Sequence, residues 1–94
     1  MNYLKLNDFQ CEVISFNKYT NFNENAMTGT CNCQVVTADI TGLQNVGLNT
    51  ITEIQIIHNE DVIYDLKSIQ ANIVSINENL VDDHIDILLS ISFQ

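Results

Sequence analysis

The stretch ITEIQIIHNEDVIYDL, residues 51–66, decides the fold class of this chain. Two runs rich in β-branched and aromatic residues flank the polar segment 58–61, and apolar and polar residues alternate within each run. Because successive side chains of a strand point to opposite faces, this alternation predicts two half-buried strands. Asn and Asp in a short polar tip favour a tight connection, so we predict a β-hairpin built on a type I turn.

The same period of two recurs along the chain, and the sequence shows no visible internal repeat. Further strands are predicted at residues 3–16 (interrupted at 7–8, with a bulge between Val13 and Ile14), 26–36, 68–76 and 85–93. Residues 17–25 and 77–83 are predicted to form a polar loop and a turn, because Asn, Asp and Glu dominate them.

One segment has a helical period instead. Between Val36 and Gly47 the apolar spacing changes to intervals of four, three and four, as on one face of a helix. Thr37 is the predicted N-cap and Gly47 the predicted stop of a short helix near residues 37–45. We expect this helix to cover an open end of the sheets.

Together these elements predict a mainly β fold, an antiparallel β-sandwich or small barrel of about six to eight strands with one short helix. Residues 1–94 are expected to form a single domain. The side chains predicted to build its core are Met27, Cys31, Cys33, Val35, Ile54, Ile56, Tyr64, Ile85, Ile87, Leu89, Ile91 and Phe93.

The charge balance is strongly acidic, since twelve Asp and Glu residues face three Lys and no Arg, for a formal net charge of −9. Such a chain is repelled by phosphate backbones and cannot assemble a basic patch, so direct nucleic-acid binding is not expected. No apolar run approaches the roughly 20 residues that span a bilayer, and the first residues lack the pattern of a signal peptide. We therefore expect neither membrane insertion nor Sec-type export.

The three cysteines, Cys11, Cys31 and Cys33, form an odd set, which without a secretion signal indicates reduced thiols. Cys31 and Cys33 share a strand face, and with Cys11 and a histidine they could hold zinc. However, C-x-C alone is a weak metal signal, whereas cysteine commonly packs as a small buried hydrophobe. Core packing is the favoured interpretation.

Residues 77–86 contain the densest acidic cluster, with Asp82, Asp83 and Asp86 around His84. Such oxygen ligands suit calcium, but their spacing matches no calcium-binding loop, so solvated acids are the favoured interpretation. No nucleophile–histidine–acid pattern and no phosphate-binding glycine loop is present. We predict no catalytic residue, no metal and no cofactor, and we do not expect an enzyme.

The surface composition favours protein contacts. It is rich in Asn and Thr, poor in charge, and the chain has no proline to protect strand edges. His58 with Glu60 and Asp61 could form a metal or acid/base cluster, although polar hairpin tips are usually explained by solvation. The candidate interface residues are Tyr19, Phe22, Ile57, His58, Asn59, Glu60, Asp61 and Ile63. For Tyr19 and Phe22, packing onto the edge of the sandwich is the favoured interpretation, and contact with a partner is the alternative. The acidic turn at residues 77–83 is a further candidate contact surface.

Four stretches, YLKLNDFQCEVISF, ADITGLQNVG, IQIIHNEDVIYDL and HIDILLSISF, together with the Asn- and Ile-rich composition, resemble small β-rich structural proteins of tailed bacteriophages. The resemblance spans the chain but includes no diagnostic motif, so no functional residue is carried over from it. It implies a non-enzymatic virion protein that is assembled in the host cytoplasm. It also implies a homo-oligomer that contacts other virion proteins in a tail, baseplate, connector or capsid-associated structure.

Two other classes of function remain open at the level of sequence. One is a monomeric binding module, for example a calcium-dependent carbohydrate or receptor binder, which uses the acids of residues 77–86. The other is a small acidic inhibitor of a basic partner, although the acids are scattered rather than arrayed as a block.

Overall fold

In a computed structural model the chain forms six strands and one helix. The structure describes residues 1–94, apart from the side chain of His84. The elements are β1 (Asn2–Leu6), β2 (Phe9–Asn23), β3 (Ala26–Val36), α1 (Ile40–Gly47), β4 (Ile51–His58), β5 (Asp61–Val81) and β6 (His84–Phe93). All neighbouring strands are antiparallel, and they close in the order β1-β2-β3-β6-β5-β4, with β4 beside β1. The mainly β fold class is confirmed, in its small-barrel form.

The predicted hairpin at residues 51–66 is present, but its turn is tighter than expected. His58 pairs directly with Asp61, so the loop contains only Asn59 and Glu60. Both have positive φ, 49° and 71°, as in a type I′ turn rather than the predicted type I turn. The primed turn is favoured because its twist matches the right-handed twist of the two strands.

Several strands are longer than the sequence pattern predicted. Residues 17–23 belong to β2, and residues 77–81 belong to β5, which runs unbroken from the hairpin to Val81. Each reversal takes only two residues, with Glu24 and Asp82 at positive φ. The predicted interrupted strand 3–16 is likewise two strands, β1 and β2, joined by a tight turn.

The two halves of the chain, β1–β3 and β4–β6, have the same strand order and occupy equivalent places in the closed sheet. The bulge expected near Val13 is present in β2, and an equivalent register shift lies between Ile73 and Ser75 in β5. The segments at these bulges are VISFN at residues 13–17 and IVSIN at residues 73–77. Across the sheet, the row of paired residues that begins at Ser15 ends at Asn77, and the row that begins at Ser75 ends at Asn17. The structure thus contains a repeat that the sequence pattern did not reveal.

Helix α1 begins later than predicted. The N-cap is Asp39, whose side chain accepts a hydrogen bond from the Gly42 backbone N–H at 2.8 Å. The hydroxyl of Thr37, the predicted cap, instead accepts from the Asp39 N–H at 3.0 Å. Leu43 is fully buried in the core, so the helix packs on the barrel. Neither α1 nor any other described part of the chain forms a helix long and apolar enough to cross a membrane.

The barrel interior holds nine of the twelve residues predicted for the core. Tyr64 is only half-buried, and Met27 and Ile85 are exposed, contrary to expectation. Met27 and Ile85 keep the inward parity of their strands, but they lie beyond the point where neighbouring strands cover that face. Further buried side chains come from the other elements, namely Leu4, Leu6, Cys11, Val13, Leu43, Ile51, Ile69 and Ala71.

Candidate assembly surfaces

Two hairpins extend beyond the barrel in opposite directions. β3 pairs with β6 only between the Gly29–Phe93 and Val35–Ile87 pairs. Two hairpin segments lie at or beyond the ends of this pairing. We call residues 20–29 the β2–β3 arm and residues 78–87 the β5–β6 arm. Because β3 starts in one arm and antiparallel β6 starts in the other, the arms point to opposite ends of a molecule 47 Å long.

The β2–β3 arm carries two of the candidate interface residues. Phe22 is 79% exposed and is paired across the arm with exposed Met27. Tyr19, at the base of the arm, is 61% exposed and lies on the opposite face of β2. The structure therefore places these aromatic side chains in solvent on strand β2 rather than in the predicted polar loop, and the favoured packing onto the edge of the sandwich is wrong.

The other candidate interface residues lie at the β4–β5 turn. Asn59, Glu60 and Asp61 are exposed, Ile57 is half-buried, and Ile63 on β5 is exposed.

The imidazole of His58 is used to organise this turn. Its Nδ1 lies 2.6 Å from Asn2 Oδ1, and its Nε2 lies 3.1 Å from Asn59 Nδ2. Because the amide oxygen can only accept, the imidazole donates from Nδ1 and accepts the Asn59 amide N–H at Nε2. Both ring nitrogens are thus committed to neighbouring amides. No group of three metal-ligating side chains is found among the described residues, here or elsewhere.

A cleft lies between β2, which leads into the β2–β3 arm, and the β4–β5 hairpin. This Lys18 cleft is lined by Phe16, Lys18, Thr20, Ile56, Ile63 and Tyr64, and it encloses about 470 Å³. The rings of Phe16 and Tyr64 meet with centroids 5.6 Å apart. The Lys18 ammonium lies 5.4 Å from the ring centroids of both Tyr64 and buried Phe93. Two aromatic faces therefore hold this cation in the cleft.

The polar groups of the cleft are incompletely paired within the chain. The Tyr64 hydroxyl is buried and has no hydrogen-bond partner among the described residues. Among the described side chains, the ion pair formed is Lys67–Asp65, with its charged atoms 3.2 Å apart. The half-buried Lys18 therefore has no carboxylate of a described residue at ion-pair distance. A buried hydroxyl without a partner is costly, which makes this cleft a candidate contact site.

The sequence offered the acidic turn at residues 77–83 as a candidate contact surface, but it did not predict the apolar side chains that are exposed on the β5–β6 arm. Leu80 is 76% exposed and is paired with exposed Ile85, and Val81 is also exposed. The sequence feature that could have indicated this apolar surface is the pair Leu80-Val81 within NENLVDD, because two adjacent apolar residues are unusual in a solvated turn. The acids Glu78, Asp82, Asp83 and Asp86 lie in the same arm, while the side chain of His84 lies outside the described residues.

A neutral groove crosses the outer face of β2, β3, β6 and β5, beside the bulges of β2 and β5. It encloses about 400 Å³ and is lined mainly by amide and hydroxyl side chains, including Ser15, Asn17, Ser75 and Asn77. No described Asp, Glu, Lys or His side chain lines it. The amide and hydroxyl groups of the groove can offer hydrogen bonds to a bound group.

The three cysteines are buried, carry free thiols and pack in the core, as the favoured interpretation held. Burial raises the pKa of the Cys11 and Cys31 thiols to about 11. Burial and the two neighbouring thiols raise the pKa of Cys33 to about 12. Because the thiolate is the nucleophilic form of cysteine, burial in the core makes these thiols poor nucleophiles.

Comparison of the sequence with models of known protein families and with curated proteins finds no match. Function is therefore inferred from the geometry of the chain and from its sequence.

Proposed function

We propose that this chain is a non-catalytic assembly protein that forms a homo-oligomer within a tail, baseplate or connector of a tailed bacteriophage. The observation that supports an assembly role is the exposure of large apolar side chains at both ends of the molecule, led by Phe22 and Leu80. Exposed apolar groups gathered on projecting elements are typical of interaction surfaces. The viral setting is supported by the sequence resemblance.

Strand edges support the same role. β2 is paired with β1 only as far as Glu12, and β5 is paired with β4 only as far as Ala71. Beyond these residues each strand has one edge without a described strand partner, and proline is absent from the chain. Such edges allow a neighbouring subunit to add a strand. Because the two ends of the subunit differ, contacts between them would be heterologous and could close into a ring.

Native mass, measured by light scattering over a range of protein concentration and salt, tests this proposal. We expect an oligomer of fixed subunit number whose mass does not change with calcium. Phe22→Ala and Ile63→Asp should lower the native mass while leaving the melting temperature of the folded subunit nearly unchanged, because both side chains are exposed. Leu48→Ala is the matched control, since Leu48 is 83% exposed but lies at the end of α1, away from both arms.

A monomer under every condition would contradict self-assembly. So would variants at Phe22 and Ile63 that lower only the melting temperature and leave the native mass unchanged. A mass that depends on calcium would instead favour the binding-module alternative.

A further inference from the structure

We infer that the Lys18 cleft of one copy of this chain receives the β5–β6 arm of a second copy, so that subunits associate head to tail. This inference rests on the proposed self-assembly and names the contact that would produce it.

The cleft defines the chemistry of its occupant. Its walls are apolar, formed by Phe16, Ile56 and Ile63. Within them, Lys18 has no carboxylate partner, and the Tyr64 hydroxyl has no hydrogen-bond acceptor among the described residues. An occupant that satisfies this site must bring apolar side chains together with an anionic or carbonyl oxygen.

The β5–β6 arm has this combination of groups. Leu80 and Ile85 lie side by side and exposed on its two strands. Asp82 lies between them in the chain, in the two-residue turn and at φ 55°, so a carboxylate is close to the apolar pair at the tip. Residues 78–87 contain four acids and no Lys, which makes this arm the more acidic of the two.

The β2–β3 arm is a poorer match. Residues 20–29 contain a single acid, Glu24, and this arm continues the same strand that supplies Lys18 to the cleft. Charge complementarity therefore selects the β5–β6 arm as the occupant.

The geometry requires that the arm come from another copy. Tyr64 lies near the start of β5 and Leu80 near its end, so the cleft and the arm occupy opposite ends of one long strand. A chain therefore cannot fill its own cleft. Each copy has one cleft and one arm, and repetition of the contact gives a closed ring or an open filament.

A complementation experiment tests the contact. Lys18→Met removes the cation of the cleft and leaves the arm intact, and Leu80→Asp changes the arm and leaves the cleft intact. Each variant alone should self-associate about tenfold or more weakly than the wild-type chain, because one partner of a partly buried contact is lost. An equal mixture of the two should form dimers, since one intact cleft and one intact arm remain. Lys5→Met and Leu48→Asp are the matched controls at sites outside the cleft and the arms, and each should assemble like the wild type.

Tyr64→Phe tests the same contact without changing the charge of the chain. It removes a hydroxyl that lacks a partner in the single chain, so the melting temperature of the subunit should be unchanged or higher. Its self-association should nevertheless weaken several-fold, because the hydroxyl loses an acceptor from the second copy. A purely structural role for Tyr64 would not produce opposite effects on stability and association. Circular dichroism on every variant verifies that it is folded.

The outcomes separate the contact from the proposed function. If the wild type is oligomeric but Lys18→Met, Leu80→Asp and Tyr64→Phe assemble equally well, the head-to-tail contact is wrong while self-assembly stands. If the first two variants dissociate but their mixture yields no dimer, the contact is again wrong, because the two sites do not face each other. A wild-type chain that is monomeric throughout refutes both.

Discussion

At the scale of single residues, Asn7 shows how one side chain connects distant strands. Its φ is 53°, a conformation that asparagine tolerates better than most residues, at the turn between β1 and β2. Its side-chain oxygen accepts from the backbone N–H groups of Thr52 and Glu53, at 3.0 and 3.3 Å, and its amide donates to the Thr50 carbonyl at 3.1 Å. The first turn of the chain is thereby joined to the start of β4.

Two substitutions at Asn7 distinguish the contribution of its side-chain hydrogen bonds to stability from the contribution of its backbone conformation. Asn7→Gly keeps the left-handed conformation and loses the side-chain bonds, so it should lower the free energy of unfolding by about 1–2 kcal/mol. Asn7→Ala should cost about 1 kcal/mol more, because alanine is strained at positive φ. Urea unfolding measures both. Equal stability of the glycine variant and the wild type would show that these bonds contribute nothing.

The buried thiols make stability depend on pH. An unfolded thiol ionises near its ordinary pKa of 9.0, whereas burial raises the pKa of Cys11 and Cys31 to about 11 and that of Cys33 to about 12. The unfolded chain therefore loses protons first as the pH rises, and the free energy of unfolding should decrease from about pH 9 upward while changing little just below it. Cys33→Ala should make this decrease shallower. An identical slope in the variant and the wild type, measured by chemical denaturation, would contradict this cause.

At the scale of elements, β6 shows how one strand serves the core and the surface with alternate residues. Leu89 is 2% exposed and packs inside the barrel, whereas its neighbour Leu88 is 44% exposed on the outer face. β6 is paired on both sides, with β3 and with β5, so its register cannot slip without exposing the core face.

These neighbouring leucines provide a controlled test of burial. Leu89→Ala should lower the free energy of unfolding by about 2–5 kcal/mol, because the cavity lies inside a packed barrel. Leu88→Ala makes the same chemical change on the outer face and should cost about 1 kcal/mol or less. Similar losses for the two variants, in denaturant unfolding, would show that the strand faces are assigned incorrectly.

At the scale of the whole molecule, the sequence predicts the parts of the strands that have one buried face. Residues 26–36 and the run that ends at Phe93 alternate clearly because the barrel interior takes every second side chain. Residues 20–23 and 78–81 lacked a strand signal because an arm has no core beneath it, so both of its faces are free to be polar.

The Lys18 cleft had no local signal for a different reason. It depends on the closing of β1 against β4 and on the bending of β5, which bring Lys18 and Tyr64 together across 46 positions of sequence. Periodicity reports the neighbours of a residue along its own strand, and it carries no information about such long-range pairing.

The strand order means that each half of the chain, β1–β3 or β4–β6, is an open three-stranded sheet that the other half completes. The halves are linked covalently only through the segment between Val36 and Ile51, which contains α1. If that segment straightens, the second half of one polypeptide can complete the first half of another with the same strand pairs. Two chains would then share two intertwined barrels, a domain-swapped dimer whose formation is limited by unfolding rather than by encounter.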